Sequence, residues 1–313
     1  NCLRAPIALA EGLHAACGFP VKNGGEPLGV IEVFSRAVRQ PDADVLDMMA
    51  SVSSQVSQFA DRRQAEMALY EREKELSLAR AIQQRRLPRA APTLEGFDIG
   101  CASHPAQETG GDSLDFIPMP GDCLGIAVGD ASGHGIAAAL LMAETRAYLR
   151  ALARTDPDVG KILAQVNCHV AEDAGEDFVT LVLARLDPRT RSLAYSSAGH
   201  WPGYVLDSRG EVRTTLRSSA LPLGLDAAGA FPATAALTLE PGDLVLLLTD
   251  GITEAFSPDG RLMGMGRVLS SVRAHQGQSA GGIVAALFDD VHAFSQGSQA
   301  DDMTAVVIKV SPA

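Results

Sequence analysis

The spacing of hydrophobic residues changes twice along the chain, and each change predicts a different kind of element. Two short apolar stretches, 19–22 and 28–34, read as strands, and Asn23-Gly24-Gly25-Glu26 between them is a hairpin signal. From Pro41 onward apolar residues recur at intervals of four and three, which predicts a helix. Beyond residue 93 short apolar runs alternate with turn residues, a pattern typical of strands and shorter helices.

The predicted helix carries an apolar seam whose register shifts part-way. The seam falters at 61–64, and the stretch 61–86 is dense in Arg, Glu and Gln. Two alternatives follow: a solvated linker helix, or a parallel coiled coil that makes the chain a homodimer with a weak, adjustable register. The apolar seam favours the homodimer. Pro88 and Pro92 are expected to end the helix. Its apolar positions are Val45, Met49, Val52, Val56 and Phe59, then, after the shift, Ala65, Leu69, Leu76 and Ala79.

The rest of the chain is predicted to hold eight strands and four helices. Because the strands come in runs and do not alternate strictly with helices, the sequence predicts an α+β fold of antiparallel sheets with helices outside. These boundaries divide the chain into segments 1–60, 61–92 and 93–313. The strands are expected at 97–102, 124–128, 178–186, 192–197, 204–207, 234–239, 244–249 and 305–310, and the helices at 135–154, 159–172, 266–274 and 280–294.

Composition and charge exclude several classes of protein. The formal net charge of −12 argues against nucleic acid as a general partner and against an anionic membrane surface. No apolar run reaches the ~20 residues that a membrane span needs. The five scattered cysteines form no CxxC pair and fit no complete disulfide set, so we expect reduced thiols in a cytoplasmic protein. Because the chain begins at Asn1-Cys2, we interpret it as a fragment of a longer protein.

Four aspartates stand at predicted strand ends with no cysteine or histidine grouping beside them: Asp112, Asp130, Asp250 and Asp301. A hairpin would bring Asp112 back beside Asp130. Carboxylates that meet in this way suit the hard cations magnesium and manganese better than zinc. Taken singly, each aspartate beside a glycine is better explained as a turn residue. Taken together and in this order, the four favour a metal site.

The motifs around these aspartates resemble, in order, those of the bacterial PPM-type serine/threonine phosphatases, and most closely the stage II sporulation E-like and sigma-regulation group. The resemblance covers the chain from about Thr93 to the C-terminus. The segments that carry it are Gly110-Gly111-Asp112, Gly129-Asp130-Ala131-Ser132-Gly133-His134-Gly135, Ser197-Ala198-Gly199-His200, Pro222-Leu223-Gly224, Leu248-Thr249-Asp250-Gly251 and Asp301-Asp302-Met303-Thr304.

The resemblance implies two stacked antiparallel sheets flanked by helices and a site for two Mn²⁺ or Mg²⁺ ions. The ions would activate a water for in-line displacement at the phosphoryl group. The implied catalytic ligands are Asp112, Asp130, Asp250 and Asp301, with the backbone carbonyl of Ala131 as a further ligand. Asp301 occupies the family's ligand position, and Asp302 is the alternative. Asp115 is expected to orient a bound water.

The resemblance also implies a phosphorylated protein as substrate, usually a small anti-anti-sigma regulator that works by partner switching. No arginine near Asp112 is evident as a phosphate clamp. Residues 1–60 resemble the C-terminal half of a GAF sensor domain, so a signal in the sensor could reach the phosphatase through the linker. The alternative is a catalytically weak sensor or binding module that acts by docking partners, which the four acidic positions disfavour.

Overall fold

The structure is a computed structural model that describes residues 4–23, 26–38, 40, 42–88, 90–106, 109–173 and 175–311. The chain forms two compact units, Asn1–Glu75 and Leu76–Ala313. One helix, α2 (Ala43–Arg86), runs from the first unit into the second. The predicted boundaries at residues 60 and 92 remain a prediction, because the units are defined by contacts and not by function.

The first unit contains a short helix, a β-hairpin and the first part of α2. After α1 (Ala5–Ala10), β1 (Ala15–Asn23) pairs antiparallel with β2 (Glu26–Ser35). Both predicted strands are present and longer than predicted, while Gly24 and Gly25 of the turn and Pro41 before the helix lie outside the described residues. α1 was not predicted; it buries no residue and so leaves no amphipathic pattern. The resemblance to a GAF domain stays a prediction.

The second unit contains ten strands and five helices in the described residues after α2. The strands are β3 (Phe97–His104), β4 (Ser113–Met119), β5 (Cys123–Ala131), β6 (Val179–Asp187), β7 (Ser192–Ala198), β8 (Gly203–Leu206), β9 (Val212–Leu216), β10 (Leu237–Thr238), β11 (Leu244–Leu248) and β12 (Met303–Val310). The helices are α3 (Ile136–Ala153), α4 (Val159–Asp173), α5 (Asp250–Thr253), α6 (Gly264–Ala274) and α7 (Ala280–Ser295).

These strands form two five-stranded antiparallel sheets. The first has the order β10-β7-β6-β5-β4 and the second the order β3-β12-β11-β8-β9. Neighbouring side chains of a strand point to opposite faces. In β11, Val245 and Leu247 pack in the core between the sheets, and Leu246 packs beneath α6 and α7. The same alternation in β5 sends Ile126 between the sheets and Ala127 towards α3 and α4.

The predicted α+β architecture of two stacked sheets with helices outside is therefore confirmed. The predicted strands need three corrections, because two strands were missed and one is shorter than predicted. β4 was missed because its buried Ser113 and Asp115 and its Pro118 interrupt the apolar pattern, and a proline is tolerated there because β4 lies at the edge of its sheet. β9 is also an edge strand, and it was missed because its polar residues interrupt the apolar pattern. The strand predicted at 234–239 is reduced to the two-residue β10.

Two further features concern membrane spans and cysteines. None of the helices in the described ranges combines the length and the apolar character that a membrane crossing requires. Cys17, Cys101, Cys123 and Cys168 are free thiols. Cys2 lies outside the described residues.

Candidate active site

A cavity of about 420 Å³ lies where the ends of β5, β11 and β12 come together. Its lining includes three of the four predicted aspartates. Asp130 stands at the end of β5, Asp250 begins α5 directly after β11, and Asp301 lies just before β12. Because β5 belongs to the first sheet and β11 and β12 to the second, the stacking of the two sheets brings these distant carboxylates to one place.

Asp112 is buried beside this cavity. The residue has 5% exposure, and its Oδ2 accepts a hydrogen bond of 2.8 Å from Thr249 Oγ1. Thr249 Oγ1 itself accepts from the backbone N–H of Thr304 at 3.0 Å, so its own hydrogen is directed to Asp112. Burial raises the pKa of Asp112 well above its usual range, and the charge of Asp130 adds to the effect. Asp112 therefore lies within electrostatic reach of the cavity although it lines a neighbouring pocket.

The electrostatics of the cavity favour the binding of a cation. Burial raises the pKa of Asp130 to about 7, and the negative charges of Asp250 and Asp301 contribute. Burial likewise raises the pKa of Asp250 and of Asp301. Carboxylates that share a partly buried space repel one another, and a cation relieves that repulsion.

The donor atoms at the cavity suit a divalent cation. A Cβ on Gly111 would lie 2.7 Å from Asp130 Oδ1 and 2.8 Å from the Ala131 carbonyl oxygen, so a glycine lets the backbone approach both expected ligand atoms. All the candidate ligands are oxygens, as magnesium and manganese prefer. In the described part of the chain no three His, Cys, Asp or Glu side chains stand together at ligand distances. The carboxylates thus line a common cavity without converging on one point.

The structure distinguishes the two neighbouring aspartates Asp301 and Asp302. Asp302 is buried, and its oxygens accept the backbone N–H groups of Ala106 at 2.7 Å and of Asp112 at 3.3 Å. Both aspartates line the cavity, but Asp301 is exposed, and its Oδ1 accepts the N–H of Asp302 at 2.8 Å. The carboxylate of Asp302 therefore holds backbone in place, and that of Asp301 keeps one oxygen available.

Asp115 does not reach the cavity, which contradicts the expectation that it orients a bound water. Two arginines of α3 surround it instead: Arg146 Nε donates at 2.8 Å and Arg150 Nε at 2.5 Å, both to Asp115 Oδ2. Arg146 also lines a pocket of about 40 Å³ together with Asp112 and Arg86. Arg146 therefore lies near Asp112, but it is bound to Asp115 and is not among the described residues that line the carboxylate cavity. The expectation that no arginine clamps the phosphate stays a prediction.

The last turn of α2 contacts the loop that carries Asp112. Gln83 Nε2 donates to the Gly110 carbonyl at 2.6 Å, and the Gly110 N–H donates to Gln83 Oε1 at 3.1 Å. One side-chain amide thus holds both backbone groups of a residue two positions before Asp112. The sequence predicts the helix but not this contact, which joins residues 27 positions apart.

The glycine-rich turn after Asp130 leads from β5 into α3. Gly135 has φ 78°, a conformation that favours glycine, and it directly precedes α3. Ser132 Oγ donates to Asp177 Oδ1 at 3.2 Å and accepts the N–H of Phe178 at 2.9 Å, so this hydroxyl is occupied. His134 is exposed at the cavity.

With this geometry in view, comparison with known proteins decides the family. Residues 120–311 match the family model described as stage II sporulation protein E (SpoIIE). The chain belongs to the SpoIIE family. The resemblance that the motifs indicated is therefore confirmed, and the match covers the two sheets from β5 onward.

Individual relatives agree with the SpoIIE assignment. Protein IcfG of Synechocystis sp. is 29% identical over 229 residues, which cover 64% of this chain and 36% of IcfG. Phosphoserine phosphatase RsbU of Bacillus subtilis is 28% identical over 236 residues, which cover 75% of this chain and 70% of RsbU. The crystal structure of the RsbU and RsbW domains of Rv1364c from Mycobacterium tuberculosis superposes with a TM-score of 0.60 at 26% identity, covering 71% of this chain and 62% of that one. The chain thus spans only about a third of IcfG.

Proposed function

We propose that the chain is a phosphatase dependent on Mn²⁺ or Mg²⁺ that removes phosphate from serine or threonine of a small regulatory protein of the anti-anti-sigma type. One observation carries the proposal: Asp130, Asp250 and Asp301 line a single cavity at the meeting ends of two sheets. The name of the relative RsbU, a phosphoserine phosphatase, supports the class of substrate.

Five groups would hold the two ions: the carboxylates of Asp112, Asp130, Asp250 and Asp301 and the carbonyl of Ala131. When bound, the ions would neutralise the phosphoryl oxygens and lower the pKa of the attacking water. The raised pKa values of the carboxylates mean that cation binding releases protons, so we expect affinity to increase with pH up to about neutral.

The surrounding residues would hold these ligands in place. Asp302 binds the backbone N–H of Asp112, and Thr249 binds its carboxylate. Gln83 fixes Gly110, which lies in the same loop. Groups held in this way need little rearrangement when charge develops in the reaction, which is a main source of catalytic power.

The first test is hydrolysis of p-nitrophenyl phosphate and of a phosphorylated anti-anti-sigma domain, each with manganese and with EDTA. We expect turnover of both substrates with manganese and none with EDTA. Turnover that is unaffected by EDTA would contradict the metal dependence. Turnover of the small ester alone would contradict the proposed protein substrate and leave the phosphatase chemistry intact.

We further propose that α2 forms the dimer interface and controls the phosphatase. Most apolar positions of the α2 seam are exposed in the single chain, with Leu69 61% and Val56 41% accessible, while Met49, Leu76 and Ala79 are half-buried. The contact between Gln83 and Gly110 gives movement of the helix a direct route to the loop of Asp112. A coiled coil whose register shifts at 61–64 is weakly stable, so a small signal can shift its packing.

Changing Leu69 and Leu76 together to Lys is expected to give monomers with an altered basal phosphatase rate, because like charges would then face each other across the seam. The matched control places the lysines one residue later, as Tyr70→Lys and Ser77→Lys, off the seam. Light scattering and phosphatase assays on both variants are the measurements. If the wild-type chain is itself a monomer, or if seam and control variants behave alike, the linker is a passive tether.

A further inference from the structure

The loops that carry Asp112 and Asp301 leave the second sheet side by side. β3 and β12 are neighbouring antiparallel strands, and their ladder ends at the pair His104 and Met303. Beyond this pair the chain after β3 leads to Asp112, and the chain directly before β12 contains Asp301. Because the ladder stops here, the relative position of the two loops depends on other hydrogen bonds.

Gln299 supplies two of these hydrogen bonds. Its Nε2 donates to the carbonyl oxygen of His104 at 2.7 Å and to that of Asp301 at 2.9 Å. A side-chain amide carries both of its hydrogens on the nitrogen, so two carbonyl partners use the whole donor capacity of the group. Gln299 thus ties the end of β3 to the backbone of a candidate ligand.

Asp302 supplies hydrogen bonds of the opposite kind. Its carboxylate accepts the backbone N–H of Ala106 on Oδ1 at 2.7 Å and that of Asp112 on Oδ2 at 3.3 Å. One side chain therefore binds the loop of Asp112 near both of its ends. A Cβ on Gly110 would overlap Asp302 Oδ2, so the carboxylate also packs directly against this loop. An amide in its place could accept only one of the two N–H groups.

The segment 299–302 is also packed against the loop of a third candidate ligand. Gly251 follows Asp250, and a Cβ on Gly251 would overlap the carbonyl oxygen of Asp302. The donors of Gln299 and the acceptors of Asp302 are directed from this one segment to the chain between β3 and β4. Loosening either side chain should therefore loosen both loops.

We propose that Gln299 and Asp302 form a latch that holds the loops of Asp301 and Asp112 as one unit, and that both are positioning residues for the cation site. The inference rests on the proposed phosphatase function. Gln299 acts through backbone carbonyl groups and Asp302 through backbone N–H groups. Because the carboxylates of the cavity repel one another, loops that are already joined before a cation arrives lose less freedom when it binds, and the affinity is higher.

The decisive variant is Gln299→Met, which keeps the length of the side chain, removes the donor and changes no charge. We expect the dissociation constant for Mn²⁺, measured by electron paramagnetic resonance of the free ion, to rise roughly 10-fold, as for other contacts that orient metal ligands. The manganese concentration for half-maximal rate should rise in parallel. The value of kcat at saturating manganese should stay within about threefold.

The matched control is Gln276→Met. Gln276 Nε2 donates to the carbonyl oxygen of Asp207 at 2.7 Å, so the same substitution removes the same kind of hydrogen bond. Leu206, the residue before Asp207, pairs with the first residue of β11, so this contact lies at the end of the sheet remote from Asp250. The control should change the dissociation constant for Mn²⁺ by less than about twofold.

A second measurement depends neither on activity nor on metal. In the metal-free protein we expect the backbone N–H groups of Ala106 and Asp112 to exchange with deuterium at least about tenfold faster in Gln299→Met than in the wild type, although Gln299 bonds to neither. Asp302→Asn should accelerate the same exchange, because it loses one of the two acceptors. If Gln299→Met leaves both N–H groups at the wild-type rate, the loops are held independently and the latch is wrong.

The outcomes separate this inference from the proposed function. A wild-type chain that neither binds Mn²⁺ nor hydrolyses phosphate esters would overturn the proposed function, and the role of the latch at the cation site with it. An active wild type whose Gln299→Met variant keeps the wild-type affinity for Mn²⁺ would overturn this inference alone. So would a Gln276→Met control that weakens Mn²⁺ binding equally, since the effect would then not come from the joined loops.

Discussion

Replacing Asp130 by Asn is expected to lower kcat at saturating manganese by at least about 1000-fold, a loss of roughly 4 kcal/mol of transition-state stabilisation. After burial, the charges of three neighbouring carboxylates, Asp250, Asp301 and Asp302, raise the pKa of Asp130. An amide has the same shape and hydrogen-bonds through one oxygen, but it brings no charge to the cation. The measurement is steady-state kinetics across a manganese titration.

The matched control for this variant is Asp177→Asn. Asp177 is an exposed carboxylate that contacts the turn through Ser132, and it does not line the cavity. Its replacement removes the same charge from the neighbourhood and should change kcat by less than about fivefold. An Asp130→Asn enzyme that keeps a tenth of the wild-type kcat, or a control that falls equally far, would contradict the assignment of Asp130.

Asp130→Asn should lower activity but increase the stability of the metal-free protein. A carboxyl group whose pKa is raised to about 7 in the folded chain costs stability progressively as pH rises from about 4 to 7, because only the unfolded chain ionises freely in that range. The metal-free Asp130→Asn protein should therefore exceed the wild type in free energy of unfolding at pH 8, by on the order of 1–2 kcal/mol after allowance for solvent screening. The difference should vanish near pH 4.

Sequence patterns predicted the parts of the fold that depend on local chemistry. β11 is a continuous apolar run followed by Asp250, and β5 is a run of apolar and small residues that leads to Asp130. The sequence was therefore sufficient to predict both strands and the aspartate at the end of each. The order of the motifs added the family and hence the stacking of the sheets. The stacking itself, which brings Asp130 and Asp250 to one cavity, is not encoded in either motif alone.

What the patterns missed depends on contacts between residues far apart in the chain. Asp115 and Arg150 are 35 positions apart, and Gln83 and Gly110 are 27 apart. A charged residue in a helix is usually solvated, so α3 gave no sign that its arginines turn inward. Likewise, nothing in the sequence around Gln299, Ser298-Gln299-Ala300, distinguishes a side chain that joins two loops from an ordinary surface glutamine.

The arginine cluster leads to a large expected effect on stability. Asp115 is almost fully buried, with 1% exposure, and accepts two hydrogen bonds each from Arg146 and Arg150. The Arg146 side chain is only 11% exposed, whereas that of Arg150 is 47% exposed. Removing the shared carboxylate leaves a buried guanidinium without its partner and places two positive charges side by side.

Asp115→Asn is therefore expected to lower the free energy of unfolding by about 3–5 kcal/mol, while Arg150→Ala, which removes the solvated partner, should cost less than about 1 kcal/mol. Burial would raise the pKa of Asp115, but the hydrogen bonds from Arg150 and Arg146 outweigh it and hold the pKa below its usual range. The stabilisation is consequently present above the ordinary pKa of aspartate and lost as pH falls through the lowered one. Urea unfolding at pH 7 and at pH 3 measures both effects. If Asp115→Asn unfolds within 1 kcal/mol of the wild type at pH 7, the cluster does not stabilise the joint between α3 and β4, the strand that begins next to Asp112.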